Sequence, residues 1–364
     1  MARSRPPACR SDSLAPGRTA MHMAVMAAPS PQEHLAPDWL AHRYDPEHDA
    51  VHLLRADRAL RRSAPFLTDE HLASAGEPVV ARRSDALANA PAASPVHFIF
   101  HSAYCCSTLL ANAFDEPSLS SSLKEPTILN DLVGWRHRGG PPAQVGEVLD
   151  SVLRLLARPF EAGEVTVVKP SNVVNALAPA MLSLRPGASA VALYAPLRLY
   201  LGSIASKGLW GRSWVRELLI KQLKDGLLDG LGFEAEDYLR LSDLQAAAVG
   251  WLAQHRLFAQ LVRRFPDRVC TLESEVLLAR PADALAEIDR RFGVDRGVAL
   301  GRATVERVFR RHAKFGGAFD REDRAANQRS AAEIHGDEIE TVAAWTLALA
   351  AGADVALELP SPLI

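Results

Sequence analysis

Cysteine is scarce in this 364-residue chain, which holds only Cys9, Cys105, Cys106 and Cys270. Their spacing makes no metal-ligand pattern and no disulfide framework. A bridge between the adjacent pair would be strained, so a reducing, cytoplasmic setting is expected. Long apolar runs are missing too: none approaches the roughly 18 residues of a membrane span. There is no excess of either charge. Lys and Arg number 41 against 43 Asp and Glu, for a net charge of −2, which is no footprint for nucleic acid. The GxxxxGK[ST] pattern of ATP and GTP sites is absent as well. What remains is ordinary globular composition, 48% hydrophobic and 23% charged, with enough material for a sizeable core.

Residues 1–36, rich in Arg, Pro, Ala and Ser, read as a disordered extension. The alternative is an over-long start, with Met21, Met23 or Met26 as the first residue. Residues 37–90 form a small α+β unit and linker, with a strand at 51–54 and a helix start at 68–72 capped by Thr68; residues 76–95 read as a connection. A main domain is expected over 91–335, and a C-terminal helix (337–350) and tail over 336–364. Within the main domain, strands at 96–100, 121–124, 165–169, 188–194 and 268–272 alternate with helices. That pattern predicts an α/β fold in layers around a parallel sheet of about five strands. Leu241, Leu244, Ala248, Trp251, His255, Phe258, Val262 and Phe265 recur at helical spacing, which gives a long core helix with His255 and Trp251 in packing roles. A short amphipathic helix is expected over 282–293, ending at Gly293. Residues 209–240, broken by Gly226, Gly230 and Gly232, suggest a lid or substrate-facing insertion.

The most informative stretch is VHFIFHSAYCCSTLL, residues 96–110. A strand runs into a turn of small and polar residues, and a helix opens at Ser107. The first N–H groups of a helix have no intrahelical partner and carry positive potential, so the turn is a candidate anion site.

Four stretches in order resemble the P-loop sulfotransferases that use 3′-phosphoadenosine 5′-phosphosulfate (PAPS). In the frame basic–Ser–Gly–Thr–Thr–aliphatic, this chain reads Tyr104-Cys105-Cys106-Ser107-Thr108-Leu109. Tyr104 stands where a Lys or Arg is usual, and Cys106 where a Gly is usual. The second stretch is Leu123-Lys124-Glu125-Pro126, the third Val168-Lys169-Pro170-Ser171, and the fourth Arg198 with Ser206 eight positions on. Glu275 and Pro281 fit a supporting pattern, to which no chemistry is attached. The resemblance covers about residues 96–293.

It implies a three-layer fold and a cytoplasmic sulfotransferase that moves a sulfuryl group from PAPS, as cosubstrate and without a metal, to a hydroxyl or amine on a small-molecule or glycan acceptor. His101, Tyr104, Cys105, Cys106, Ser107, Thr108 and Leu109 would hold the 5′ end of the donor. Arg198 and Ser206 would clamp the 3′-phosphate, with Ser203 as an alternative hydroxyl and Lys207 as added charge. Glu125 would act as general base and Lys169 would balance charge. His101 or Lys124 would stand in for the cation missing at 104. Arg311, Lys314, Gly316 and Gly317 would belong to a closing segment or to a solvated connection. The rival expectations are an ATP-dependent phosphotransferase and a non-catalytic, degenerate P-loop domain that binds a nucleotide or a partner protein.

Overall fold

The structure, a computed structural model, describes residues 36–310 and 321–364, with side chains described outside 310–323. The chain opens with β1 (Trp39–Asp45), β2 (Ala50–Arg55), α1 (Arg58–Ser63), β3 (Val79–Arg82) and α2 (Arg83–Ala88). These three strands make an antiparallel sheet in the order β1-β2-β3. Next come β4 (Val96–His101), α3 (Ser107–Ala113), β5 (Ser120–Lys124), α4 (Thr127–His137), α5 (Pro142–Leu156), β6 (Val165–Lys169), α6 (Ala178–Leu184) and β7 (Ala190–Tyr194). The remainder is mostly helical: α7 (Leu197–Ser206), α8 (Gly208–Lys224), α9 (Ala235–Arg240), α10 (Asp243–Arg264), β8 (Val269–Glu273), α11 (Ser274–Ala279), α12 (Pro281–Phe292), α13 (Gly297–Val305) and α14 (Arg321–Gly352). No described helix is long and apolar enough to cross a membrane.

The second sheet has five strands in the order β5-β6-β4-β7-β8, with every neighbouring pair parallel. Its strands are short and buried along nearly their whole length, as expected for a parallel sheet covered on both faces. Successive side chains alternate between two cores. Ile99, Val167, Val191 and Leu193 enter one, together with Leu244, Trp251 and Ile339. Phe98, Phe100, Val168, Ala190 and Ala192 enter the other, together with Leu129, Leu149 and Met181. From β4 the chain passes to the far edge at β5, returns at β6, then crosses to β7. The topological switch therefore lies beside the carboxyl end of β4, where open α/β sheets form their crevices.

The second core also takes in Leu40, Val51, Leu53 and Leu67, so the N-terminal unit packs onto the main layer. Several expectations need correction. Residues 68–72 form a single turn: His71 and Leu72 both bond back to the Thr68 carbonyl, and the Thr68 hydroxyl bonds the His71 ring, not a helix terminus. Residues 76–95 contain β3 and α2 and so are more than a connection. Residues 208–224 are a regular helix; Gly226, Gly230 and Gly232 take positive φ and form the turn after it. The last helix is longer than 337–350, and α14 runs unbroken across the boundary expected at 335–336. It lies along α7, with Ala331 and Ile339 beside Gly202. The extension assigned to 1–36 falls almost wholly outside the described residues, as do Arg311, Lys314, Gly316 and Gly317.

Candidate functional site

Three features at the carboxyl edge of the sheet open onto one cavity of about 730 Å³: the turn after β4, the end of β5 and the end of β6. The turn is wound tightly. Ala103, Tyr104 and Cys106 all have left-handed backbone, with φ of 70°, 51° and 64°. Non-glycine residues rarely adopt this conformation, and it gathers at functional sites. Cys106 therefore occupies the position where the resemblance expects glycine with the backbone that glycine would take. The turn is tied to its neighbours. The Ser102 N–H donates to the Leu193 carbonyl at 3.0 Å, and the Ser102 hydroxyl accepts from the Ala195 N–H at 3.1 Å.

His101 is buried beneath this turn. Its Nδ1 accepts from the Ala103 N–H at 3.1 Å, and its Nε2 lies 3.0 Å from the Pro170 carbonyl, which can only accept. The ring is thus the neutral Nε2–H tautomer. Burial, with help from the Lys169 charge, drives its pKa well below the usual imidazole range. His101 braces the turn and carries no positive charge there. Tyr104 does not supply one either. Burial pushes its phenol up to about 12, and the ring packs edge-on against Trp214 at 5.5 Å. The Cys105 thiol is buried, 3.4 Å from the Leu193 carbonyl, and burial raises its pKa, the opposite of an activated nucleophile. Ser107, Thr108 and Leu109, the first residues of α3, line the cavity beside it.

Glu125 and Lys169 meet in the cavity. Glu125 leaves β5 with left-handed backbone (φ 53°), and its N–H donates to the Lys169 carbonyl at 2.6 Å. That reversal carries the carboxylate into an ion pair with the Lys169 ammonium. Lys169 is 1% exposed; its ammonium lies 5.1 Å from the centre of the Phe66 ring. The His101 ring nitrogen is 3.7 Å from the same Glu125 carboxylate. A buried ion pair is poor evidence for stability, because desolvation offsets the attraction. On a cavity wall it reads better as chemistry.

Lys124 lies next to this pair. It sits in register with Lys169 on the neighbouring parallel strand, which places both side chains on the same face of the sheet. Lys124 is 2% exposed and donates to the Arg62 carbonyl at 2.9 Å and to the Asn112 amide oxygen at 3.2 Å. Burial, reinforced by Lys169 and Arg62 and opposed by Asp115, lowers its pKa to about 8. Below that pH the lysine is charged in both states, and the folded state bears the desolvation penalty. As pH rises from about 8 toward the ordinary lysine value the folded protein sheds the proton first, so stability should rise, by up to about 3 kcal/mol. Urea unfolding at about pH 7 and about pH 9.5 tests this. The native chain should gain stability relative to Lys124→Gln at the higher pH; a constant difference contradicts a charged, buried Lys124.

Arg198 and Ser206 fall outside this cavity. The Arg198 guanidinium is 54% exposed and holds the Glu340 carboxylate of α14 at 2.8 and 2.9 Å. Ser206 donates to the Ser203 carbonyl, and Ser203 to the Leu199 carbonyl, so both hydroxyls are spent within their own helix. Lys207 is exposed at the end of α7. Trp251 and His255 stack in the core, with ring centres 3.7 Å apart, and burial pushes the His255 pKa down to about 3. Glu275 binds Arg324 of α14. Among the described residues no cluster of His, Cys, Asp and Glu is arranged to hold a metal.

One part of the wall escaped sequence reasoning, residues 62–66, and a second, Trp210 and Trp214, falls within the 209–240 segment expected to face the substrate. Residues 62–66 of the N-terminal unit form one side, with Arg62 bound to Asp115 at 2.7 Å. Trp210 and Trp214 of α8 form the rim, their rings nearly parallel at 6.5 Å. Signals for both were present. Arg58, Arg61 and Arg62 crowd a short segment that ends in Phe66, and tryptophans four apart share a helix face.

A scan of protein-family models gives no match to this chain, and a search of curated proteins gives none either.

Proposed function

We propose that the chain is a PAPS-dependent sulfotransferase of P-loop type, working in the cavity at the end of β4. The observation that carries this reading is the meeting of Glu125 with Lys169 on the same cavity as the 101–108 turn. Glu125 takes the proton of an acceptor hydroxyl or amine. The acceptor atom then forms a bond to sulfur as the bond from sulfur to the 5′-phosphate oxygen breaks, leaving adenosine 3′,5′-bisphosphate. Lys169 and the turn meet the charge that spreads over the sulfuryl oxygens. Phe66, Trp210 and Trp214 give a small-molecule or glycan acceptor flat apolar walls.

A second reading, a domain that binds an anionic nucleotide without transferring a group, is favoured by two observations: Tyr104 brings no charge to the turn, and Arg198 is engaged by Glu340 away from the cavity. Incubation with PAPS and a panel of alcohols and amines separates the readings. Release of adenosine 3′,5′-bisphosphate, dependent on the acceptor, is expected. Turnover of ATP–magnesium in its place moves the assignment to a phosphotransferase, and binding of the bisphosphate without any turnover leaves the second reading.

A further inference from the structure

Lys124 has no role in the scheme above, yet it is among the most costly side chains in the molecule to bury. Its register partner Lys169 has Glu125 to pair with. Lys124 has only two neutral acceptors, the Arg62 carbonyl and the Asn112 amide oxygen. An ammonium has three donors, so one remains unspent, and no described carboxylate is near enough to form an ion pair with it. Asp115, the carboxylate whose charge acts on it, is held by Arg58 and Arg62. Lys124 nevertheless lines the cavity. Asn112 and Thr108 lie one turn apart on α3, so they share a face. Thr108, Asn112 and Lys124 all line the cavity.

We propose that Lys124 receives the oxyanion of the cavity's ligand, a sulfate or phosphate ester, in place of the cation missing from position 104. The ammonium comes from the end of β5 and not from the turn after β4, and Thr108 and Asn112, which line the same cavity, border the oxyanion. The N-terminal unit is then part of the binding site, because its Arg62 carbonyl orients the ammonium. This assignment rests on the cavity being the donor site of the transferase, but it makes a claim about anion binding that holds without turnover.

Inorganic sulfate is the probe, since its charge does not change across the pH range of interest. Its affinity for the full chain is measured by titration calorimetry or ligand-induced thermal shift for the native protein, Lys124→Gln and Lys124→Arg. The expected result is a loss of about tenfold or more in Lys124→Gln, with most of the affinity restored in Lys124→Arg. In the native protein, affinity should fall as pH rises through about 8. The charged groups acting on Lys124 are Asp115 after α3, Lys169 on β6 and Arg62 on α1, and Glu125 and Arg307 line the same cavity. The native-protein pH profile needs no variant to fold. Equal affinity in native and Lys124→Gln proteins, a flat profile from about pH 7 to about pH 9.5, or no sulfate binding by the native protein overturns the proposal. PAPS turnover, measured in parallel, separates the two claims. Lysine-dependent sulfate binding without turnover keeps Lys124 and removes sulfuryl transfer. Turnover that Lys124→Gln leaves untouched keeps transfer and removes Lys124.

Discussion

Glutamine at position 125 is expected to lower the sulfuryl-transfer rate about 10²- to 10⁴-fold, the range typical of losing a general base. The amide keeps the shape of the side chain and can still accept a hydrogen bond from Lys169, but it cannot take a proton from the acceptor. The left-handed backbone at 125 is unaffected by this exchange, because the requirement lies at Cβ and both residues carry the same one. The effect should therefore fall on kcat, with donor affinity nearly unchanged. Losing the charge of Glu125 leaves the buried Lys169 ammonium without its partner, so the unfolding midpoint must be followed alongside the kinetics. Full activity in a folded Glu125→Gln protein would remove Glu125 from the mechanism.

Alanine at position 164 is expected to destabilise the fold by about 3–5 kcal/mol, the cost of breaking a buried ion pair from one side. Glu164 is fully buried and accepts from the N–H groups of Ser118 and Phe160 at 3.0 Å and of Glu161 at 3.3 Å. It also pairs with Arg58, whose guanidinium stacks on Phe160 at 4.7 Å. Removing the carboxylate strands three backbone donors at once and leaves the Arg58 guanidinium with Asp115 and the Ser120 carbonyl, each at 3.3 Å. The consequence reaches the site. Arg58 begins α1, and the residues closing and following that helix form one wall of the cavity. Urea unfolding measures the loss directly; a change under about 1 kcal/mol would mean that the pair behaves like an exposed one.

The exposed pair of Arg198 and Glu340 marks the opposite limit. With both side chains more than half exposed, it contributes little to stability. Its interest is topological, because it ties α7 to a helix more than a hundred residues further along the chain.

Some of this protein was legible one segment at a time. The runs VHFIF, VTVV and AVALY announced strands buried on both faces, and the apolar stripe from Leu241 to Phe265 announced α10, because strand and helix periodicities are local properties of the chain. Gly293 marked the end of α12 for the same reason, and it takes the left-handed conformation that a helix stop requires. The pairing of Glu125 with Lys169 was within reach, since one follows and the other ends a strand, and a parallel sheet brings the two strands side by side. Lys169 and Lys124 were both named from the sequence and both line the cavity; that Arg198 does not was not legible. Arg198 had a suitable spacing from Ser206, but its partner Glu340 lies far along the chain. Lys124 gained its surroundings only when β5 and β6 paired in register and Arg62 arrived on α1. Sequence by itself determined the strands, the helices and the sharp turn after β4, because each depends on neighbours within a few residues. Tertiary structure alone decided which charges are buried together and which are left facing water, because that depends on which distant segments pack against each other.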